Sequence, residues 1–227
     1  TIEKQAFYYC TSLKAVYCKP TTPPTGGDRM FDYNASGRKI YVPASDDNSI
    51  INAYKAKEYW SDYKDYIFED EPKPANNEIW YTSTDGKIVQ PYRTDAFGAN
   101  IISNTYSDGK GVIKFDNDVY QIFNYTFYEC SNLKSIILPN SVESICEYAF
   151  RSASNLTSVT LPGSVAIIYN RAFYECANLE EVNLSEGVYQ IGEFSFYKCT
   201  KLKRINLPNS LKHIGAYSFY NCSSLED

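Results

Sequence analysis

A repeat with a fixed spacing of 23 residues runs through the second half of the chain. Its most regular feature is a phenylalanine, which recurs at Phe127, Phe150, Phe173, Phe196 and Phe219. An isoleucine stands five residues before each phenylalanine and a leucine stands six residues after it. A fixed period of this length is typical of a solenoid, in which each repeat buries its apolar face only against its neighbours.

The apolar residues after each phenylalanine indicate the kind of solenoid. They follow the pattern Leu-x-x-Ile/Val-x-Leu, as in Leu179, Val182 and Leu184. Such a run predicts a short strand whose alternate side chains enter the core, within a parallel sheet on the concave side. Three repeats continue with Pro-x-Ser, which ends the strand because proline donates no hydrogen bond to a sheet ladder. The return stretch, such as 191–202, is predicted to form short helical or irregular convex segments.

The order of residues within one unit is equally distinctive. The pattern I-G-x-x-x-F-x-x-C-x-x-L-x-x-h-x-L-P is matched in most positions by 191–207 and in its first part by 214–225. This pattern resembles the BspA-type leucine-rich repeats of bacterial cell-surface proteins, with a phenylalanine–cysteine pair in place of the asparagine ladder of the eukaryotic type. The resemblance implies a leucine-rich-repeat solenoid, an extracellular location on a bacterial surface, and adhesion to host proteins or other cells.

Five segments are predicted along the chain. Residues 1–18 match the repeat and are interpreted as the last repeat of a first array, and 19–70 as its C-terminal α+β cap. An acidic linker containing proline, 71–77, follows. Residues 78–110 are predicted to form a hairpin-containing N-terminal cap, and 111–227 a second array of 23-residue repeats.

The two caps carry their own local signals. In the first, 39–42 alternates like a strand, and 45–48 offers N-cap residues for one helix. That helix is predicted to carry Ile50, Ile51, Tyr54, Trp60, Tyr63 and Ile67 at helical spacing. In the second cap, 79–82 is predicted to pair with 87–89 across Asp85-Gly86, because Asp-Gly is a strong signal for a hairpin turn.

Charge and hydropathy exclude some partners. The net charge of −5 and the isoelectric point near 5.1 disfavour nucleic acid and anionic membrane surfaces. No apolar run approaches the roughly 20 residues of a membrane helix, so no membrane insertion is predicted.

Because the chain begins within a repeat, we expect a fragment whose signal and anchor lie elsewhere. We also expect its apolar solenoid ends to stack head to tail.

Seven cysteines are present, and five of them occupy one position of the repeat. These five are Cys10, Cys130, Cys176, Cys199 and Cys222. Small buried thiols between turns are the favoured interpretation. Neighbouring turns are close enough for disulfides, but the odd number implies no disulfide framework, and we predict reduced thiols. No C-x₂₋₄-C pair is present, so no zinc site is predicted.

Few residues suggest chemistry. His213 is the single histidine and is predicted to lie on the surface. Asp46-Asp47 could indicate calcium, but an acidic helix start is the simpler interpretation. No nucleophile elbow, phosphate-binding loop or dinucleotide fingerprint occurs. We therefore predict no catalytic residue, no metal, no cofactor and no enzyme activity.

The concave sheet face is the first candidate binding surface, and a merely solvated face is the alternative. Its residues alternate with the core positions of the predicted strands: Lys114, Ser135, Ile137, Ser158, Thr160, Glu181, Asn183, Arg204 and Asn206. The second candidate is a convex column of tyrosines, for which packing at the edge of the core is the alternative. That column comprises Tyr8, Tyr128, Tyr174, Tyr197 and Tyr220.

Three functions remain open at this stage. The first is a protein-binding or adhesion module that holds host, other-cell or extracellular-matrix proteins on the concave face. The second is a structural stalk that displays other domains. The third is a glycan-binding module, which requires exposed aromatic side chains on one face. The third is less favoured, because Tyr17 is the only aromatic residue that we place on the concave face.

Overall fold

The computed structural model describes residues 1–44, 48–69 and 73–226. The chain forms two compact units, Thr1–Pro72 and Lys73–Asp227. Each unit has its own cluster of buried apolar side chains, and the units are described separately below.

The first unit is a three-stranded parallel sheet joined by helical turns. Strands β1 (Ala15–Tyr17), β2 (Lys39–Val42) and β3 (Ile67–Glu69) lie in that order. Helix α1 (Ser49–Ala56) and a 3₁₀ helix (Ser61–Tyr66) connect β2 to β3. The buried core consists of Met30, Phe31, Ile40, Val42, Tyr54, Trp60, Tyr63 and Ile67.

The sequence pattern predicts that the solenoid of this unit ends at residue 18, but the solenoid continues beyond that residue. The ring of Phe31 stacks on Phe7 with centroids 5.3 Å apart, and the N–H of Phe7 donates to the carbonyl of Met30 at 2.9 Å. Strand β2 continues the sheet, with Val16 opposite Ile40. This further turn escapes the pattern because its residues follow those of the previous turn by 24 positions instead of 23.

The single helix predicted through Ile67 is wrong in its second half. Helix α1 ends at Ala56 because Lys57 is extended, with φ −72° and ψ 138°. The chain then forms the 3₁₀ helix, and Ile67 begins β3. Asn48 precedes α1 in a left-handed conformation without a side-chain capping bond. The other proposed capping residues, 45–47, lie outside the described residues. Asp46 and Asp47 are among them, so their interpretation as an acidic helix start stays a prediction.

Two sheets form the second unit. The strands of the larger sheet are β4 (Glu78–Ser83), β5 (Ile101–Ser107), β6 (Lys110–Phe115), β8 (Leu133–Ile137), β10 (Ser158–Thr160), β12 (Glu181–Asn183) and β14 (Arg204–Ile205). They lie in the order β14-β12-β10-β8-β4-β6-β5. The smaller sheet consists of β7 (Gln121–Ile122), β9 (Ser144–Ile145), β11 (Ile167–Ile168), β13 (Gln190–Ile191) and β15 (His213–Ile214). Pairing is parallel from β8 to β14 and throughout the smaller sheet.

The leucine-rich-repeat solenoid predicted from the sequence is confirmed, with a difference on its convex side. Residues 73–226, as far as the structure describes them, contain no helix in the return stretches. Turns and two-residue strands take their place. Each turn of the solenoid repeats two non-glycine residues with positive φ, for example Arg171 and Glu175 at 58° and 59°. A positive φ is incompatible with a right-handed helix, so these two residues, four positions apart, prevent the return stretch from forming one.

The predicted hairpin of the second cap is wrong. Strand β4 pairs antiparallel with β6 on one side and with β8 on the other. Both edges of β4 are therefore occupied, and 87–89 has no edge to join. The hairpin is formed instead by β5 and β6, across Asp108-Gly109 with φ of 50° and 80°. The 23-residue period aligns β6 with the repeat strands. Because β4 lies between β6 and β8, however, β6 does not pair with β8.

Stacked phenylalanine rings form the centre of the second core. Neighbouring centroids lie 5.0 to 5.3 Å apart, and the ring planes differ by at most 8°. The column runs through Phe127, Phe150, Phe173, Phe196 and Phe219. Four of these rings are fully buried. Offset stacks of this kind contribute beyond the burial of their area, so each ring supports the two turns beside it.

The buried cysteines link neighbouring turns by weak hydrogen bonds. The Sγ atoms of Cys176, Cys199 and Cys222 donate to phenylalanine carbonyls 26 residues earlier, at 2.9, 3.2 and 3.1 Å. All seven cysteines are free thiols. Burial raises the pKa of Cys130 and Cys222 to about 11, and it also raises the pKa of Cys176 and Cys199 well above the usual value of a thiol. The predicted column of small buried thiols is confirmed in this unit, whereas Cys10 is exposed.

Thiol labelling of the folded protein at pH 8 should separate these groups. Cys10 is expected to react with iodoacetamide rapidly, because it is exposed. Cys176 and Cys199 are expected to react only when the protein unfolds, because a raised pKa depletes the reactive thiolate and burial excludes the reagent. Peptide mapping after timed labelling measures both rates. Labelling of Cys176 at the rate of Cys10 would contradict the buried thiol column.

Candidate functional site

The repeat strands present two rows of side chains on the concave face. Their positions follow from alternation, because the residues between them, such as Val159 and Val182, are buried in the core. The strand register gives the first row as Ser135, Ser158, Glu181 and Arg204. The second row contains Ile137, Thr160 and Asn183. With strands about 4.8 Å apart, the first row extends over roughly 14 Å.

Most of the predicted site residues therefore share one surface. Thr160, Glu181, Asn183, Arg204 and Asn206 are exposed, and Asn206 follows β14 directly. None of the ion pairs among the described residues involves Glu181 or Arg204. Both charges thus face solvent, where a partner can reach them without breaking an existing pair.

Two predicted residues have other surroundings. Lys114 lies on β6, two strands away from Ser135, and its Nζ is 3.7 Å from a carboxylate oxygen of Glu78. The hydroxyl of Ser135 lies 2.6 Å from that of Thr82 on β4. Lys114 is thus separate from the two rows, and Ser135 already has a protein partner.

Strand β4 adds an aromatic residue that the sequence analysis missed. Trp80 lies on the concave face, opposite Ile137 of β8 and Val112 of β6. Its Nε1 donates to a carboxylate oxygen of Glu78 at 3.0 Å, and the Nζ of Lys110 lies 3.0 Å from the ring centroid. The alternation of buried Ile79 with Trp80 indicates that the side chain of Trp80 points away from the core. To place that side chain on the concave face, one must also know that β4 lies beside β8.

The concave face of the first unit carries a row of aromatic side chains. The register places Tyr17 beside Tyr41, and Tyr41 beside Phe68. The first two rings stack at 4.9 Å, and the second pair is tilted at 6.4 Å. Tyr17 and Phe68 are 57% and 41% exposed. The prediction that Tyr17 is the only aromatic on the concave face is therefore wrong. Tyr41 and Phe68 lie in the same row as Tyr17, and Trp80 lies on the concave face of the second unit.

The convex tyrosines stack along the solenoid of the second unit. Ring centroids lie 4.8 Å apart between Tyr174 and Tyr197, and 5.2 Å apart between Tyr197 and Tyr220. Their planes differ by at most 10°. Since the ring faces contact one another, this geometry favours packing at the edge of the core over presentation of ring faces to a ligand.

Side chains that could hold a metal ion lie apart from one another in the described part of the chain. Among the described residues, no three His, Cys, Asp or Glu side chains converge as a metal site. His213 is exposed in β15. Within the same residues, no helix has the length and apolar character of a membrane span.

Solved structures to which this chain is similar come from several bacteria. A leucine rich repeat protein of T. pallidum is 32% identical over 48% of this chain and 51% of its own, with a TM-score of 0.48. One from Bacteroides ovatus is 33% identical over 54% of this chain and 30% of its own, with a TM-score of 0.47. A leucine rich cell surface protein of Faecalibacterium prausnitzii is 22% identical over 99% and 61%, with a TM-score of 0.48.

The family assignment rests on the repeats themselves. The chain spans about half, or less, of the first two of these proteins. A comparison with curated proteins finds no match. The model of the BspA type leucine rich repeat region matches six copies, over residues 1–69 and 101–227. These ranges include the stacked turns of both units, and the chain therefore belongs to the BspA-type leucine-rich-repeat family.

Proposed function

We propose that this chain is a non-catalytic protein-binding module of a bacterial cell-surface protein, with its ligand on the concave sheet of the second unit. One observation carries the proposal: four polar side chains of the two rows lie exposed on one sheet, namely Thr160, Glu181, Asn183 and Arg204. The charges of Glu181 and Arg204 are unpaired among the described residues. Extended concave faces of solenoids commonly bind protein partners. Sites on strands also hold their side chains more exactly than sites on loops.

The expected partner is a folded protein of a host or another cell, such as a component of the extracellular matrix. A row of about 14 Å with mixed charges suits a protein surface better than a small molecule, because complementary charges fix the register of a large interface. Leucine-rich-repeat solenoids are generally binding or structural modules. The membership of the chain in a family of bacterial surface proteins supports an extracellular location.

A binding experiment with a matched surface control tests this proposal. The complete chain is applied to a panel of immobilised extracellular-matrix proteins and glycans, beside a variant with Glu181, Asn183, Arg204 and Asn206 changed to alanine. Binding of the native chain is expected to fall about tenfold or more in the variant, because a few central residues dominate most interfaces. The control variant carries alanine at the exposed residues Glu143, Glu193, Lys201 and Lys212, which also leaves the net charge unchanged.

Each outcome of that experiment has a distinct meaning. Loss in the first variant alone, with an unchanged melting curve, supports the concave site. Equal binding by both variants would move the site elsewhere, for example to the aromatic row of the first unit. No binding to any panel member would favour the structural stalk. The head-to-tail stacking expected from the sequence stays a prediction, which sedimentation at high protein concentration tests.

A further inference from the structure

The convex side of the second unit carries two parallel columns of stacked side chains, each interrupted once by an arginine. One column contains Tyr125, Tyr148, Arg171, Phe194 and Tyr217. The other contains Tyr128, Arg151, Tyr174, Tyr197 and Tyr220. The two arginines occupy neighbouring turns, so that each stands beside a tyrosine of the other column.

Each guanidinium replaces a ring within its stack. The Cζ of Arg171 lies 5.7 Å from the ring centroid of Tyr148 and 4.8 Å from that of Phe194. The Cζ of Arg151 lies 5.6 Å from the centroid of Tyr128 and 5.4 Å from that of Tyr174. Arg151 also lies 5.6 Å from Tyr148, which therefore contacts both cations. These contacts hold the planar groups in place by cation–π attraction and leave their N–H bonds directed along the plane.

Those N–H bonds have no anionic partner within residues 1–44, 48–69 and 73–226. Arg29 pairs with Asp32 and Arg93 pairs with Asp95, but among the described residues neither Arg151 nor Arg171 forms an ion pair. The Nε of Arg151 is buried and lacks an acceptor. A buried donor without a partner is uncommon in native proteins and is costly unless something else accepts its hydrogen bond.

A depression opens beside the two cations. Its volume is about 210 Å³, and it is lined by Tyr148, Arg151, Arg171, Tyr174, Phe194 and Tyr197. Given about 30 Å³ for each water molecule in the liquid, this volume equals roughly seven waters. It therefore has room for a small anionic group and part of the molecule that carries it.

The neighbouring carboxylates do not fill this role. Glu175 already pairs with Lys198 at 3.2 Å. The carboxylate of Glu129 accepts a hydrogen bond from the hydroxyl of Tyr128, and this contact raises the pKa of that tyrosine. Glu147 lines a separate depression with Tyr169. The site therefore retains two uncompensated positive charges on a chain whose net charge is −5.

We propose that Arg151 and Arg171 form a binding site for a sulfate ester, of the kind carried by sulfated sugars. The two guanidinium groups offer more N–H donors than the two oxygens of a carboxylate can accept. A sulfate ester has three terminal oxygens and can accept more of these hydrogen bonds. A sulfate ester carries one negative charge, so it loses less hydration free energy on entering this partly enclosed depression than a doubly charged phosphate ester does. This site is separate from the concave face and does not depend on the proposed function.

Calorimetric titration with a sulfated monosaccharide tests the site on the complete chain. N-acetylglucosamine 6-sulfate is the probe, and unsulfated N-acetylglucosamine, the 6-phosphate and glucuronic acid are the comparison ligands. Saturable binding of the sulfated sugar is expected, with no binding of the unsulfated sugar. Arg151→Gln and Arg171→Gln should each weaken binding about tenfold, because each removes charge-assisted hydrogen bonds. Arg151→Lys should also weaken binding, since lysine keeps the charge but loses the fork and its stacking.

The control is Lys212→Gln, which removes one positive charge from an exposed position outside both proposed sites. This variant is expected to bind the sulfated sugar like the native chain. Melting curves identify any variant that fails to fold, and the lysine variant remains informative in that case. Three results would overturn the proposal: no saturable binding of the sulfated sugar, unchanged binding after both glutamine substitutions together, or tighter binding of the phosphate or the uronic acid.

Discussion

Replacing Phe173 with alanine is expected to lower the free energy of unfolding by about 3–5 kcal/mol. Phe173 is fully buried and stands at the middle of the phenylalanine column. Its ring stacks on Phe150 at 5.0 Å and on Phe196 at 5.1 Å, with planes within 5°. The substitution removes both stacking contacts and leaves a cavity that a rigid stack of turns cannot close. Urea unfolding followed by circular dichroism measures the loss.

The same substitution at Phe219 is the matched control. Phe219 is only partly buried, and its ring stacks on a single neighbour, Phe196, at 5.3 Å. Because it loses one ring contact and less burial, Phe219→Ala is expected to cost clearly less than Phe173→Ala. Equal losses at the two positions would show that stacking along the column does not stabilise the solenoid as argued.

The second large effect is expected at Gly111, where alanine should lower the free energy of unfolding by about 2–4 kcal/mol. A Cβ atom at this position would overlap the ring of Tyr81, which is 2% exposed. The Tyr81 hydroxyl donates to the side-chain oxygen of Asn104 at 2.7 Å, and the N–H of Val89 donates to that hydroxyl at 3.3 Å. Displacing the ring therefore overpacks the core and breaks the contacts that fix the segment after β4.

Gly163→Ala provides the comparison, because the nearest atom to a Cβ there is Cβ of Ser185 at 4.0 Å. Its effect is expected to stay within about 0.5 kcal/mol, as for most exposed substitutions. Thermal unfolding of both variants is the measurement. A stable Gly111→Ala protein with an unchanged melting temperature would mean that the packing of Tyr81 against Gly111 does not hold the cap.

The repeated part of the fold could be predicted from the sequence because its determinants are local and periodic. The recurrence of Phe150 and Phe173 fixes the spacing of the turns, and the alternation around Val159 and Val182 fixes which side chains face the concave surface. Parallel in-register stacking then aligns equivalent residues, as the pairing of Ser158 with Glu181 shows. Neither step requires knowledge of distant contacts.

The caps could not be predicted in the same way because their pairing is non-local. Asp85-Gly86 and Asp108-Gly109 carry the same turn signal, but only the second joins two strands. The choice depends on β4, whose edges are taken by β6 and β8 from distant parts of the chain. The position of Trp80 on the concave face follows from that pairing and was missed for the same reason.

The two arginines illustrate a different kind of omission. The tyrosine spacing that predicts the convex column of Tyr128, Tyr174 and Tyr197 is interrupted by Arg151, which stands between the first two. Arg171 interrupts the neighbouring column in the same way. Spacing alone places both residues, but their lack of a carboxylate partner among the described residues depends on three-dimensional contacts.

The most direct test of the concave binding surface is the dissociation constant of Asn183→Trp for the partner that the panel identifies. Asn183 is exposed in the second row, on the same strand as Glu181, so an indole there should block close approach and weaken binding about tenfold or more. Glu193→Trp adds the same side chain at an exposed position outside the two rows and should bind like the native chain. Native affinity in Asn183→Trp, with both variants folded, would contradict the proposed site.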